Sequence, residues 1–598
     1  MGKQQVFGCR FWVLVAQAAA VMLLGEPFCV QGAILYRDAV LGTNPVIYWP
    51  LDETGGPPYL AAVDIAPLAG ANNAAYLKHS DTNSVLTLGQ AGPRPTDGFL
   101  YMPSDNKAPY ANHPMTDQRG AGTLYDALYT TAGVPPTAYT VQVWFKQESL
   151  STSFPTYVFS RANGTAGDDT YLRDSLGIGS GQYGTTAKKM FFWDGVNVIS
   201  STGPQSVEAS KWYHFVYIRN GDYFTTYLNG KQDIPWTYRP WRTTTGDNNG
   251  NRLGIGMRPD KAEPFMSIRG WYDEAAVWNR VLTEAEVRSL YLAAFPEYPR
   301  AILASQPAAY WRLNEVVGDN LAYDISGNGR DQTLGNGQSP NVTRSGSPPD
   351  VGPRPTDTAR NGARLGGFEP TNYAPTIPIG KTGWTDNDYA LVVHSTSPVV
   401  VPDTQYTVEA WIRPSNTTTY GLVGYIFHRR DFDGSGRFGD ALGMGGTYQA
   451  GAPAGALFYY NKDTETAIWA QNPTILQPNQ WYHVAFVRQG DAIRVYIDGQ
   501  LEFSAIYPLP SGTNFDQGTW VFGGRSDSNL PPNDHLKWPG NIDEVAIFGR
   551  ALSQQEILAH FNAALVPEPS TCLLMALGTL LLFGLRVRKI RFASPRSR

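Results

Sequence analysis

The chain has 598 residues, with 47 Lys and Arg against 52 Asp and Glu, and it carries 61 Gly, 44 Pro, 16 Trp and 33 Tyr. A formal net charge of -5 supplies no cationic excess to neutralise phosphates, which sets nucleic-acid binding aside, and 42% hydrophobic content excludes a disordered chain. The turn-rich, Trp- and Tyr-rich composition points to β-structure, and at about 150 residues per domain the length allows four domains, fewer if they are large sandwiches.

In chain order, residues 1–32 read first as a secretory signal peptide. Lys3 and Arg10 give a positive start, Phe11–Leu24 is an apolar run broken only by Gln17, and Gly32 or Ala33 offers a small residue for cleavage. As a helix that run covers about 21 Å, short of the ~30 Å hydrocarbon core a permanent anchor must cross.

The body that follows is one unit used twice. Tyr48-Trp49 returns as Tyr310-Trp311 after 262 residues and Tyr139–Trp144 as Tyr406–Trp411 after 267. Trp212-Tyr213-His214 returns as Trp481-Tyr482-His483 after 269, and Asp273-Glu274 as Asp543-Glu544 after 270. An offset that drifts so little marks a tandem duplication with small loop changes. The expected domains are 34–295 and 301–564, and the two prolines of Phe295-Pro296-Glu297-Tyr298-Pro299 predict a short, stiff joint between them.

Within each unit the pattern is that of antiparallel strands. Tyr406–Trp411 alternates Tyr, Val and Ala with Thr, Glu and Trp, the period of a half-buried strand. Trp481–Arg488 turns at Gln489-Gly490-Asp491 and returns as Ile493–Ile497, where Asp498-Gly499, like Asn229-Gly230 in the first unit, signals a type I′ hairpin. Each unit closes on a capping box, Thr283 with Glu286 and Ser553 with Glu556. The boxes predict short helices whose apolar sides carry Val287 and Leu290, or Ile557 and Phe561, with Leu282 and Leu552 as staples.

The end of the chain, 566–591, carries Val566-Pro567-Glu568-Pro569-Ser570-Thr571, then an apolar stretch over 572–585, then Arg586, Arg588, Lys589 and Arg591 with no acid among them. The basic block stays on the cytoplasmic side while the chain before it is exported. This tail closely resembles the PEP-CTERM sorting signal of Gram-negative bacteria. The resemblance implies recognition of Pro567, Glu568 and Pro569 by an exosortase-type membrane protease, and a cell-surface, outer-envelope or extracellular-matrix product. A plain C-terminal transmembrane anchor is the alternative reading, and both place the body outside the cytoplasmic membrane. Without its two ends the body has net charge -11 and no cysteine, since Cys9, Cys29 and Cys572 fall in the ends, so its fold stands without disulfides.

The body resembles the laminin-G-like, concanavalin A-type jelly-roll domains. The second unit carries this through Tyr310-Trp311-Arg312-Leu313, Asp324-Ile325-Ser326-Gly327-Asn328-Gly329, Trp481-Tyr482-His483 and Ile542-Asp543-Glu544-Val545; the first lacks the Ser-Gly-Asn-Gly turn. The resemblance implies an all-β chain of two tandem concanavalin A-like sandwiches. It leaves activity open, because such domains serve as sugar-binding modules, protein-binding modules and spacers alike.

Catalytic chemistry is sparse. Asp273-Glu274 and Asp543-Glu544 are adjacent, so along a regular strand their side chains point to opposite faces, unlike the paired carboxyls of a retaining glycosidase. One of each pair is expected to bond a turn or Arg280 and Arg550, and His214 and His483 read as framework histidines. Asp431, Asp433 and Ser435 put oxygens at positions 1, 3 and 5 of a glycine-bearing loop, as Ca2+ requires, while Leu442 stands where an EF-hand needs its bidentate Glu. Laminin-G-like and pentraxin-like relatives carry Ca2+ at a rim, which supports a Ca2+ site there; a solvent-exposed acidic turn is the alternative. Trp236, Tyr238 and Trp241 form the best candidate ligand-binding patch, with Trp469, Trp520 and Trp538 as candidates in the second unit. The reading is an exported, non-catalytic polysaccharide-binding protein, with a protein–protein adhesion or spacer module as the alternative and a glycoside hydrolase as a minor one.

Overall fold

The computed structural model describes residues 35–565, apart from 58–60, 67–71, 78–84, 113–126, 131–136, 163–171, 241–251, 257–267, 316–320, 334–350, 378–390, 394–397, 416–423, 431–437, 447–451, 462–465, 509–518 and 525–537. The predicted signal peptide and the PEP-CTERM tail therefore lie outside the described residues. Among those described, no helix is long and apolar enough to cross a membrane.

The chain is all-β with a few short helices. In the first repeat the larger sheet runs Lys231–Tyr238, Tyr223–Leu228, Trp212–Asn220, Ala138–Gln147, Gly270–Trp278, Lys107–Asn112, Val85–Ala91, with Ile47–Trp49 also on Gly270–Trp278. A seven-stranded sheet built around Thr156–Ala162 and Arg252–Ile255 faces it. The second repeat repeats the plan, with Gly540–Phe548, Gln405–Pro414, Tyr482–Gln489, Ala492–Ile497 and Gln500–Ile506 adjacent in one sheet and a six-stranded sheet opposite. Each sandwich fills with side chains from both sheets: Val143, Phe215 and Tyr217 with Phe159, Leu176 and Phe192 in the first, Val408, Ile412 and Phe486 with Phe427, Leu442 and Trp520 in the second.

Tyr406–Trp411 departs from the half-buried expectation: every residue is buried. Tyr406, Val408 and Ala410 enter the inter-sheet core, while Trp411 joins a third apolar cluster under the helices. That cluster also holds Trp144, Val287, Leu290, Phe295, Tyr298, Ile302, Ile557 and Phe561, so it belongs to both repeats and makes 35–565 one compact unit. Helices covering the outer face of the larger sheet hide the period-two signal that a solvated face would leave.

The joint residues open a helix. Pro296 caps a helix, Glu297–Ala304, with Pro299 in its first turn, where a missing N–H costs little. Sequence spacing pairs this helix with Tyr36–Gly42 at the start of the first repeat: Tyr36, Ala39, Val40 and Leu41 match Tyr298, Ala301, Ile302 and Leu303, offset 262. The residues between the domains are the opening element of the second repeat, and their apolar side is buried.

The closing helices, Glu284–Leu292 and Gln554–Ala564, start as expected. Thr283 Oγ1 accepts from the Glu286 N–H at 3.2 Å while Glu286 accepts back at 2.8 Å, and Ser553 with Glu556 gives 3.3 and 2.8 Å. Leu282 and Leu552 are buried in the cluster that holds Val287 and Ile557. The hairpins turn through left-handed pairs, Asn229 (φ 51) with Gly230 (φ 71) and Asp498 (φ 52) with Gly499 (φ 74), the type I′ geometry. Glycine serves a second purpose there: a Cβ at Gly499 would lie 2.9 Å from Leu558 Cα, on the closing helix.

Candidate functional site

The adjacent acids form a sealed centre in each repeat. At Glu274 (φ 49) and Glu544 (φ 53) the strand bulges, breaking the alternation that would have sent the two carboxyls to opposite faces. Asp273 accepts from Asn106 Nδ2 at 2.7 Å and Asp543 from Asn372 Nδ2 at 2.8 Å. Glu274 accepts from Arg37 Nε at 2.9 Å and from the Tyr48 hydroxyl; Glu544 accepts from Arg312 Nε at 3.1 Å and from the Tyr310 hydroxyl. The partners are thus Arg37 and Arg312, not Arg280 and Arg550, which instead bond Glu286 and Glu556 at 2.7 Å. Burial first, then the neighbouring glutamate, raises Asp273 and Asp543 well above the carboxylate range. Burial raises Glu544 to about 7 against the lowering effect of Arg312. All four acids are fully buried, so no polysaccharide reaches them as a glycosidase pair.

A repeated motif that the sequence reading missed supports this centre. Gly92-Pro93-Arg94-Pro95-Thr96-Asp97 recurs unchanged as Gly352–Asp357. A Cβ at Gly92 would sit 2.6 Å from Asp273 Oδ2, and one at Gly352 2.6 Å from Asp543 Oδ2, so glycine makes room for the acid. Arg94 and Arg354 each donate from Nε at 2.8 Å to the carbonyl of Asn106 or Asn372. Six identical residues at an offset of 260 were the available signal.

The framework histidines differ between repeats. His214 is buried, with Nε2 3.1 Å from Gln142 Oε1, and burial pushes its pKa down to about 3. In the second repeat Glu409 replaces Gln142. It lies 3.4 Å from His483 Nε2 and 2.9 Å from His560 Nδ1, whose other nitrogen meets Ser305 Oγ at 2.8 Å. Burial lowers the His560 pKa, but Glu409 outweighs it and the net shift is upward. Glu409 is held at about 2, burial opposing and His560 prevailing.

Exposed aromatics occur on the first repeat's edge hairpin. Trp236 is 44% exposed and Tyr238 54%. Tyr223, which the sequence reading did not name, is 50% exposed and pairs directly with Tyr238 across the ladder, their rings 5.4 Å apart and edge-to-face. The corresponding pair in the second repeat is Ala492 and Ile506, so an aromatic standing where its repeat carries alanine was the missed signal. Trp241 lies outside the described residues, as do Asp431, Asp433 and Ser435 of the proposed Ca2+ loop. Trp520 and Trp538 are fully buried core residues, and Trp469 packs half-buried against the cluster of Tyr425 and Phe458. Among the described residues no three His, Cys, Asp or Glu side chains converge as metal ligands.

One family model, the concanavalin A-like lectin/glucanases superfamily in its laminin G form, matches residues 121–288 and 385–558, more than half of the chain. The chain belongs to that superfamily. The two matched stretches of this concanavalin A-like chain fall one in each repeat. No curated protein matches it in sequence. Solved structures similar to it include domain 4 of an extracellular arabinanase from Geobacillus stearothermophilus, at 15% identity over 42% of this chain and 98% of that one, with TM-score 0.28. The SAP-like pentraxin of Limulus polyphemus gives 20% identity over 26% of this chain and 68% of that one, TM-score 0.21. Domains LG4-5 of the mouse laminin alpha1 chain give 11% identity over 71% and 86%, TM-score 0.22.

Proposed function

We propose that this chain is an exported, non-catalytic saccharide-binding protein whose first repeat meets a polysaccharide through Tyr223, Trp236 and Tyr238, with Trp241, three residues on in sequence, as a further candidate contact. The observation that carries this reading is the solvent exposure of those three rings on one edge hairpin. Flat aromatic faces with polar tips cover the C–H faces of sugar rings at little entropic cost, because each side chain has only two torsions to fix. Export rests on the leader, the cysteine-free body and the tail. In this reading Pro567-Glu568-Pro569 addresses the chain to an exosortase-type protease at the inner membrane.

A glycan array with the parent chain and the Trp236→Ala and Tyr238→Ala variants tests it. Binding to neutral polysaccharides that falls at least tenfold in both variants supports the reading, and an array that stays blank removes it. The alternative, a protein-docking or spacer module, is favoured by Leu501 and Ile506, 47% and 75% exposed on the second repeat's edge strand. A blank array with a protein captured through that strand, and lost on Ile506→Lys, is its expected outcome.

A further inference from the structure

Between the two repeats lies a cleft of about 380 Å³. The first repeat contributes Gln205, Lys211 and Asn229 to its walls and the second contributes Asn314, Tyr323 and Asp331. The equivalents of the first three, at offset 269, are Thr474, Gln480 and Asp498, and in the second repeat these are covered. Arg360 bonds Thr474 Oγ1 at 3.2 Å and lies 3.4 Å from Asp498 Oδ2, while Gln480 Nε2 donates to the Thr358 carbonyl.

The cover is a small hairpin closed by the Thr358–Arg364 bridge. It exists only in the second repeat: Asn106 follows Asp97 by nine positions, whereas Asn372 follows Asp357 by fifteen. In the first repeat the neighbouring repeat's Asp324–Asp331 turn approaches instead. Lys231 Nζ donates to Asn328 Oδ1, and Lys211 Nζ stands 3.5 Å from the Tyr323 ring centroid. The turn bridges the gap without filling it. The shorter loop of the first repeat, met by the second repeat's Asp324–Asp331 turn, thus makes the cavity.

Its lining mixes aromatic faces (Phe99, Trp212, Tyr323) with amides and acids. Asp324 is occupied by backbone N–H groups, and Arg312 by Glu369 and Glu544. Burial raises the Asp331 carboxyl to about 7, so near neutrality it both donates and accepts hydrogen bonds. Asp97 and Glu315 against Lys211 leave an acid excess without counting Asp331, and this disfavours anionic ligands. The volume sits at the low end of small-ligand pockets, about 300–1,000 Å³.

We propose that the cleft between the repeats binds a neutral saccharide of one or two rings, stacked against Tyr323 and hydrogen-bonded to the amides and acids around it. This site shares no residue with the Trp236 surface, so each stands or fails separately. The experiment is saturation-transfer NMR and calorimetry on the full chain with cellobiose, maltose and lactose, and with glucuronate as the anionic control. The expected result is binding of at least one neutral disaccharide, lost in Ser206→Trp, which fills the cleft, weakened at least tenfold in Tyr323→Ala, and kept in Trp236→Ala. Melting curves check that each variant folds; if Ser206→Trp does not, Tyr323→Ala decides. No binding by the three disaccharides, equal binding by glucuronate, or binding indifferent to both cleft variants overturns the proposal.

Discussion

In the first repeat Glu274 receives its guanidinium from Arg37 on the opening helix, and the strand position after Trp49 is Pro50. In the second repeat the helix position equivalent to Arg37 is Pro299, and the guanidinium comes from Arg312, the equivalent of Pro50. The cation has changed backbone position while its destination stayed fixed. A second buried ion pair shows no such exchange: Arg219 with Asp174 and Arg488 with Asp440 are both bidentate and both bonded to a tyrosine, Tyr139 or Tyr406. What the fold requires is a positive charge beside a buried carboxylate, and more than one backbone position reaches the bulged glutamate.

The comparison can be broken or sharpened by substitution. Arg312→Ala strands Glu544 and Glu369 in the interior and is expected to cost about 3–5 kcal/mol by urea unfolding. Arg37→Ala should cost less, because Arg37 is 21% exposed and its partner Asp52 42%, so water takes over part of its work. Equal losses would show that the two centres differ only in wiring. Gly499→Ala should cost more than about 1 kcal/mol, since its φ is positive and the new Cβ meets the backbone of the closing helix. Gly230→Ala should cost less than Gly499→Ala, because its nearest obstacle is the Tyr291 side chain. The caps are alike in both repeats, and Thr283→Ala and Ser553→Ala should each lose about 1 kcal/mol.

The histidine sites separate the repeats by pH. With His214 depressed to about 3, its unfolded form takes up a proton near pH 6.5 and the folded form does not, so the first repeat loses stability as pH falls from about 6.5 toward 3. His560 is raised, so its contribution is full below about 6.5 and is lost as pH rises through its folded pKa. Glu409 contributes above its unfolded value of about 4.3 and loses that as pH falls toward about 2. Gln142→Glu should raise the His214 pKa, read by the NMR shift of its ring protons, and an unmoved titration would show that burial alone governs the site. The smallest effect on stability is expected at Trp236→Ala, within about 0.5 kcal/mol, because the ring faces solvent.

The duplication, the capping boxes and the type I′ hairpins were legible because each depends on residues close together in the chain or on a fixed offset. The burial of both faces of Tyr406–Trp411 was not, since the covering helices come from other parts of the chain. Nor was the joint: its prolines signal a break, and only its match with Tyr36–Gly42 shows a helix beginning there. At the candidate surface Trp236 and Tyr238 were legible as a cluster, whereas Tyr223 required the ladder that sets it opposite Tyr238.

By itself the amino-acid sequence determined a repeated β-rich body, because spacing, turn chemistry and hydrophobic runs act locally. Only the tertiary structure decided which arginine neutralises which acid, since Arg37 and Glu274 are 237 residues apart. It also decided which tryptophans are core and where the repeats leave a cavity. These are outcomes of packing between distant segments, where desolvation cost and close contact select partners that no local pattern encodes.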